Sequence, residues 1–238
     1  MEKKLEKRIN NFQNLPDGEK LAILVEVSSH LDSKNIIDFL YNVIEKEKYE
    51  KIRIKALMIL KTCDNEKTLQ KLKELYAYER EKSVRLALVE VLANLTQEQV
   101  DESLQDISST DENDVIRSMA LKNLHERKKI SKTKMKSLLL DVIQNDPSVF
   151  PKQLALNLIS SYADKKTLET LKMIYSREIK FKMKQLLYRT LNEVAEKVNL
   201  ELDIAEPIEE KRLDEGKKKG RRRRRKKREK EEEEHLFF

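Results

Sequence analysis

The chain has 238 residues, of which 50 are basic and 43 acidic, giving a formal net charge of +7. Charged residues make up 39%, aromatic residues 5%, and there are three glycines, four prolines and a single cysteine, Cys63. This composition excludes an intramolecular disulfide, a glycine-built phosphate loop and an apolar run of the roughly 18–20 residues that a bilayer span requires.

Apolar residues recur at helical spacing through about residue 200, with little Gly or Pro to interrupt them, so the chain is predicted to be mostly helical. The lone cysteine suits a reducing compartment. The N-terminal MEKKLEKRINNF lacks the apolar centre of a secretory signal. A cytoplasmic location is therefore expected.

Lys3–Leu15 is predicted as a first helix with Leu5, Ile9 and Phe12 on one face, stopped by Pro16-Asp17-Gly18. Glu19–Leu31 follows, with Leu21, Leu24, Val25 and Val27 apolar. From there a period emerges. Asp32, Asp64, Thr96, Ser131 and Asp164 stand 32, 32, 35 and 33 residues apart, each ahead of a helical pattern and each able to accept a first-turn N–H. Thr96-Gln97-Glu98-Gln99 fits a capping box. Behind each cap apolar residues recur: Ile36, Leu40 and Val43; Leu69, Leu72 and Leu75; Val100, Leu104 and Ile107; Met135, Leu139 and Val142; Leu168, Leu171 and Tyr175.

A second set of amphipathic helices, Lys51–Cys63, Ser83–Leu95, Asp114–Glu126, Val149–Tyr162 and Ile179–Val194, marches with the first. Each carries a basic residue near its start: Arg53, Arg85, Arg117, Lys152 and Lys182. Ala56, Ala87, Ala120 and Ala155 sit in mid-helix, where a small side chain lets neighbouring helices approach. Asp146-Pro147 reads as a cap with proline in the first helical position, and Pro151 as a kink or a late start.

Caps and basic-start helices share one period of about 30–35 residues, the range of helical solenoids. Six units follow: 1–31, 32–63, 64–95, 96–130, 131–163 and 164–199. Each is an outer helix, a short turn and an inner helix, and each needs its neighbours to bury both apolar stripes. The predicted fold is all-α, a right-handed α-solenoid superhelix of about six antiparallel helix pairs over 1–200, followed by a charged tail over 201–238.

The inner-helix pattern aliphatic-Arg-x-x-Ala-x-x-x-Leu resembles the HEAT-repeat family. It stands as Ile52-Arg53, Ala56 and Leu60, and as Ile116-Arg117, Ala120 and Leu124; Val84-Arg85, Leu88 and Leu92 put Leu in the Ala place. The resemblance covers about residues 20–199, with Lys replacing Arg in units one, five and six. It implies a curved superhelix that binds proteins or, less often, nucleic acid. It also implies that the basic ladder of Arg53, Arg85, Arg117, Lys152 and Lys182 pairs with acidic loop residues to hold units in register. A basic stripe on the concave face, meeting an acidic ligand, is the other reading of the same residues.

From about Leu202 the apolar pattern stops. Twelve Lys and Arg lie between 217 and 230, followed by Glu231–Glu234 and His235-Leu236-Phe237-Phe238. Like-charge blocks of this kind stay solvated, so the tail is expected to be disordered alone. Lys217, Lys218, Lys219, Arg221, Arg222, Arg223, Arg224, Arg225, Lys226, Lys227 and Arg228 are the candidate polyanion-binding residues, acting by counterion release. RNA is the first candidate, DNA the second and an anionic membrane surface the third. Two other readings stay open: Glu231–Glu234 folds back and neutralises the run, or Leu236-Phe237-Phe238 anchors a docking peptide.

No catalytic constellation is found. His30, His125 and His235 lie far apart with no Cys or carboxylate at metal-ligand spacing, and Cys63 has no neighbouring His signature. Alkylpurine DNA glycosylases of similar architecture use tryptophans on a basic concave face, and this chain has no Trp. The expectation is a non-enzymatic scaffold with no metal, cofactor or small-molecule substrate. A protein partner docks on the solenoid, and RNA or another polyanion docks on the tail. In the alternative, ladder and tail together bind nucleic acid.

Overall fold

Residues 3–208 are described by the computed structural model, and apolar side chains at three- and four-residue spacing make them helical, with no strand among them. Twelve α-helices follow in order: α1 (Lys3–Asn10), α2 (Asp17–Val27), α3 (Lys34–Lys46), α4 (Glu50–Leu60), α5 (Glu66–Tyr78), α6 (Lys82–Asn94), α7 (Gln99–Thr110), α8 (Asp114–Arg127), α9 (Lys132–Asn145), α10 (Val149–Ile159), α11 (Lys165–Arg177) and α12 (Phe181–Lys197). Odd-numbered helices form an outer row and even-numbered helices an inner row. Each outer helix contacts the inner helix that follows it, and short connections make such pairs antiparallel.

The inner row holds the stack together. α2 packs on α4, α4 on α6, α6 on α8, α8 on α10 and α10 on α12, whereas successive outer helices make no comparable backbone approach. Small residues explain the difference: Ala56, Ala120 and Ala155 are fully buried in the inner row, and Ala87 nearly so. Closer spacing on one side of a stack curves it toward that side, so the inner row lines the concave surface. One continuous apolar core runs from Leu5 to Ala195. Of the outer-helix apolar positions predicted, all are buried except Ile9 and Leu75, which are partly buried.

Several local expectations are corrected. The first helix stops at Asn10, and a 3-10 turn over Phe12–Asn14 carries Phe12 into the core against Phe39, ring centroids 5.1 Å apart. Pro16-Asp17-Gly18 starts a helix rather than only stopping one. Pro16 is the N-cap of α2, and the N–H groups of Glu19 and Lys20 donate to its carbonyl. The buried stripe of α2 is Lys20, Ile23, Leu24 and Val27, which leaves Leu21 and Val25 exposed.

Two of the five predicted caps hold. Ser131 accepts the N–H of Lys134, and Asp164 accepts that of Thr167. Asp32 yields its place to Ser33, and Asp64 to Asn65. Asp64 instead reaches across to the next unit, where its Oδ1 accepts Thr96 N–H and Gln97 Nε2, each at 2.9 Å. Thr96 caps nothing, and α7 begins after Glu98. Asp146 ends α9, and the N-cap of α10 is Ser148, so Pro151 falls in the first turn, where its missing N–H leaves no bond unmade.

The contact with the array continues past α12. Asn199 adopts the left-handed conformation (φ 54°), Leu200 N–H closes back onto Ala195 O at 3.0 Å, and Leu202 and Ile204 pack against the core. Tyr175 of α11 donates its hydroxyl to Ala205 O at 2.8 Å.

Candidate functional site

Five turns share one design. α3, α5, α7, α9 and α11 are each joined to the following inner helix by three residues, and the first of the three is always an acid: Glu47, Glu79, Asp111, Asp146 and Glu178. Each sits at the C-cap with extended backbone, its own N–H still bonded to the last turn of the outer helix. A carboxylate oxygen then folds over the turn. Glu47 Oε1 accepts Lys48 and Tyr49 N–H at 2.8 and 3.3 Å, and Glu79 Oε1 accepts Arg80 and Glu81 N–H at 2.9 and 2.8 Å. Asn113 N–H donates to Asp111 Oδ1, Ser148 N–H to Asp146 Oδ1 and Lys180 N–H to Glu178 Oε1, each at 2.8 Å. Amides at a helix N-terminus have no partner within the helix, so the acid satisfies donors that would otherwise be orphaned.

The same carboxylates face the preceding unit. The fourth residue of every inner helix is basic: Lys20, Arg53, Arg85, Arg117, Lys152 and Lys184. Lys20 Nζ donates to Glu47 Oε2 at 2.8 Å and Arg53 Nη1 to Glu79 Oε2. Arg85 Nη2 meets Glu112 at 3.0 Å and Asp111 at 3.5 Å. Arg117 is the most completely engaged. Its Nε and Nη2 donate to both oxygens of Asp146 at 2.8 Å, and its Nη1 donates to Asp111 O at 2.7 Å.

Burial sharpens these pairs. The side chains of Lys20 and Glu47 are 6% and 2% exposed, those of Arg117 and Asp146 6% and 5%. Burial alone would raise the Glu47 carboxyl, but the hydrogen bonds from Lys20 and the turn amides outweigh it and hold Glu47 below its ordinary value. Bidentate bonding from Asp146 raises the Arg117 guanidinium against the opposing effect of burial. At the middle joint Tyr76 also donates to Asp111, and burial together with that carboxylate pushes the tyrosine hydroxyl up.

The fifth joint differs. Lys152 Nζ donates to Gln144 O at 3.2 Å and makes no ion pair among the described residues. Lys182 is exposed. The ladder position in α12 belongs to Lys184, whose Nζ lies over the Tyr175 ring, 5.1 Å from its centroid. Lys20, Lys184 and the five turn acids were not among the sequence candidates. A signal for them existed: the acids recur at steps of 32, 32, 35 and 32, in register with the bases. Lys217–Lys219, Arg221–Arg225, Lys226, Lys227 and Arg228 lie outside the described residues.

The opposite edge, where one unit passes to the next, carries less regular contacts. Arg127 donates to Asp101 Oδ1 and Ala93 O, each at 2.7 Å, and Lys129 to Thr96 O at 2.7 Å. His125 Nδ1 lies 2.9 Å from the Tyr162 hydroxyl, and Cys63 is buried, which raises its thiol. No group of three or more His, Cys, Asp or Glu among the described residues is placed to hold a metal. No helix there is long and apolar enough to cross a membrane.

The turn edge also exposes apolar side chains. Tyr78 and Ile179 are 87% and 90% exposed, and Tyr49, Val149 and Phe150 about half. All five lie in or beside a three-residue turn.

Residues 30–125, from just ahead of α3 into α8, match the family model of HEAT repeats. Over that span the chain is similar to HEAT repeats, in keeping with the stacked helix pairs described above. No curated protein matches the chain significantly. The matched span contains the joints built on Arg53 and Arg85, together with Arg117 itself.

Breaking a buried pair leaves one charge without a partner, which costs far more than losing an exposed one. Arg117→Met should therefore lower unfolding stability by about 3 kcal/mol or more in urea titrations. Lys61→Met, which removes a pair with Glu90 that is exposed on both sides, should cost about 1 kcal/mol or less.

Proposed function

We propose that this HEAT-repeat protein is a non-enzymatic scaffold whose turn edge docks a protein partner and whose polybasic segment adds affinity for RNA or another polyanion. The observation that carries the first part is the row of Tyr49, Tyr78, Val149, Phe150 and Ile179, apolar side chains left in water along one edge of the array. Among the described residues, five of the ten exposed large apolar side chains lie at this edge, and apolar side chains gathered in this way mark an interaction surface. HEAT repeats are commonly protein-interaction scaffolds, which agrees with that reading.

The ladder supports this reading over the nucleic-acid alternative. Arg53, Arg85 and Arg117 already have carboxylate partners, so a phosphate backbone would have to displace them. Exposed charges on the inner helices are mixed in sign: Glu26 on α2, Lys51 and Lys55 on α4, Glu90 on α6, Lys122 and Glu126 on α8, Arg189 and Glu193 on α12. Mixed signs do not make a phosphate-tracking groove. The twelve Lys and Arg between 217 and 230 are the part of the chain suited to a polyanion. Linking the two sites raises avidity without a new contact at either.

Two measurements test the halves separately. Immobilised full-length chain should retain proteins that the Tyr78→Glu/Ile179→Glu variant releases, and an identical retained set from both would overturn the docking edge. Affinity for single-stranded polyuridine should fall steeply with salt. Changing Arg221 through Arg225 to Gln should flatten the log–log slope by about 3.5, at roughly 0.7 per phosphate contact. An unchanged slope would remove the segment from the site.

A further inference from the structure

Grooves open between successive outer helices, and two of them differ in charge. The groove between α3 and α5, about 580 Å³, contains Arg53, Lys71, Glu45, Glu74 and Glu79, and both cations are paired with carboxylates inside it. The groove between α9 and α11, about 250 Å³, contains Lys152 and Arg177, neither of which makes an ion pair among the described residues. Its one carboxylate, Glu178, is turned toward the Lys180 amide. Ile143, Ile174 and Met173 supply an apolar wall, and Met173 is 54% exposed. Val149, Phe150 and Ile179 stand exposed on the elements that flank the groove. Two cations with no carboxylate partner among the described residues therefore lie beside a cluster of apolar side chains left in water.

The chemistry that would complete this joint is a carboxylate followed by bulky apolar side chains. One segment of this chain has that order: Glu231-Glu232-Glu233-Glu234-His235-Leu236-Phe237-Phe238. The chain leaves the described residues at Ile208, three residues after Ala205, whose carbonyl is bonded to Tyr175 on α11. That is the helix that contributes Met173, Ile174 and Arg177 to the groove. The length of chain from Ile208 to Glu231 is enough to reach roughly 25 Å or more, which exceeds the width of one helix, about 10–12 Å. Tethering of this kind gives an effective concentration in the millimolar range.

We propose that the α9–α11 groove is a docking site for an acidic-apolar peptide and that residues 231–238 of this chain occupy it. One or more of Glu231–Glu234 takes the place that the turn acid holds at the other joints, opposite Lys152 and Arg177, and the Leu-Phe-Phe run covers Met173, Phe150 and Ile179. Docking also draws Glu231–Glu234 away from the polybasic run, leaving its charge open to a polyanion. The inference rests on the docking edge proposed above and names the occupant of its last joint.

The test is zero-length carbodiimide cross-linking of the full-length chain, mixed equally from ¹⁴N and ¹⁵N preparations and read by mass spectrometry. Cross-links from Glu231–Glu234 should favour Lys152 over the exposed Lys51 and Lys122 by about tenfold or more, and should join residues of the same copy. Met173→Glu/Ile179→Glu, which leaves Lys152 and the four acids in place, should abolish the preference. Cross-links spread evenly over the lysines would overturn the proposal, as would cross-links that join only different copies. An even spread beside a partner that still depends on Tyr78 and Ile179 would sink this inference while the docking edge stands.

Discussion

A carboxylate at the first position of a three-residue turn has two sets of donors to satisfy, and the array depends on its meeting both. Glu47, Glu79, Asp111 and Asp146 each accept turn amides from their own unit and a cation from the unit before. The first contact fixes how the inner helix leaves the turn, and the second fixes where that turn sits on its neighbour. A solenoid has no long-range contacts to correct an error in one unit, so register has to be set locally at every joint. An apolar interface alone would tolerate sliding, because area burial is non-directional. A bidentate guanidinium–carboxylate pair does not tolerate it, because its two bonds are lost together when the planes shift.

Placing the clasp at the turns determines what the rest of the surface can do. With register set there, the inner row is free to pack closely through Ala56, Ala87, Ala120 and Ala155, and the outer row splays. Splaying opens grooves between α3 and α5 and between α9 and α11. The turn edge beside those grooves keeps Tyr49, Tyr78, Phe150 and Ile179 in water, a desolvation gain left for a partner to collect. At the last joint the clasp is undone, with Lys152 on Gln144 O and Glu178 on its own turn.

Much of this was legible in the sequence. The helical period was readable because a stripe such as Ile36, Leu40 and Val43 is set by 3.6-residue geometry and needs no knowledge of neighbours. Arg53, Arg85 and Arg117 were readable because they recur within similar stretches. Their partners were hidden by abundance, since five turn acids among 43 carboxylates stand out only once the helix ends are known. The sequence alone does not separate Lys182 from Lys184, because only the start of α12 after Lys180 tells which lysine is fourth. Asp64 and Thr96 looked like caps because a cap and an inter-unit clasp use the same side chains. Leu21 and Val25 looked like core because an aliphatic residue carries no mark of the face it occupies.

The most direct measurement is a double-mutant cycle on Arg53→Met and Glu79→Gln, followed by urea unfolding of the four full-length chains. Glu79→Gln keeps an oxygen for the Arg80 and Glu81 amides and removes only the charge offered across the joint. If register is held by the carboxylate's second contact, the two changes will be non-additive by about 1 kcal/mol or more. Additivity within about 0.3 kcal/mol would show that the units align by apolar packing alone and that the ladder is incidental.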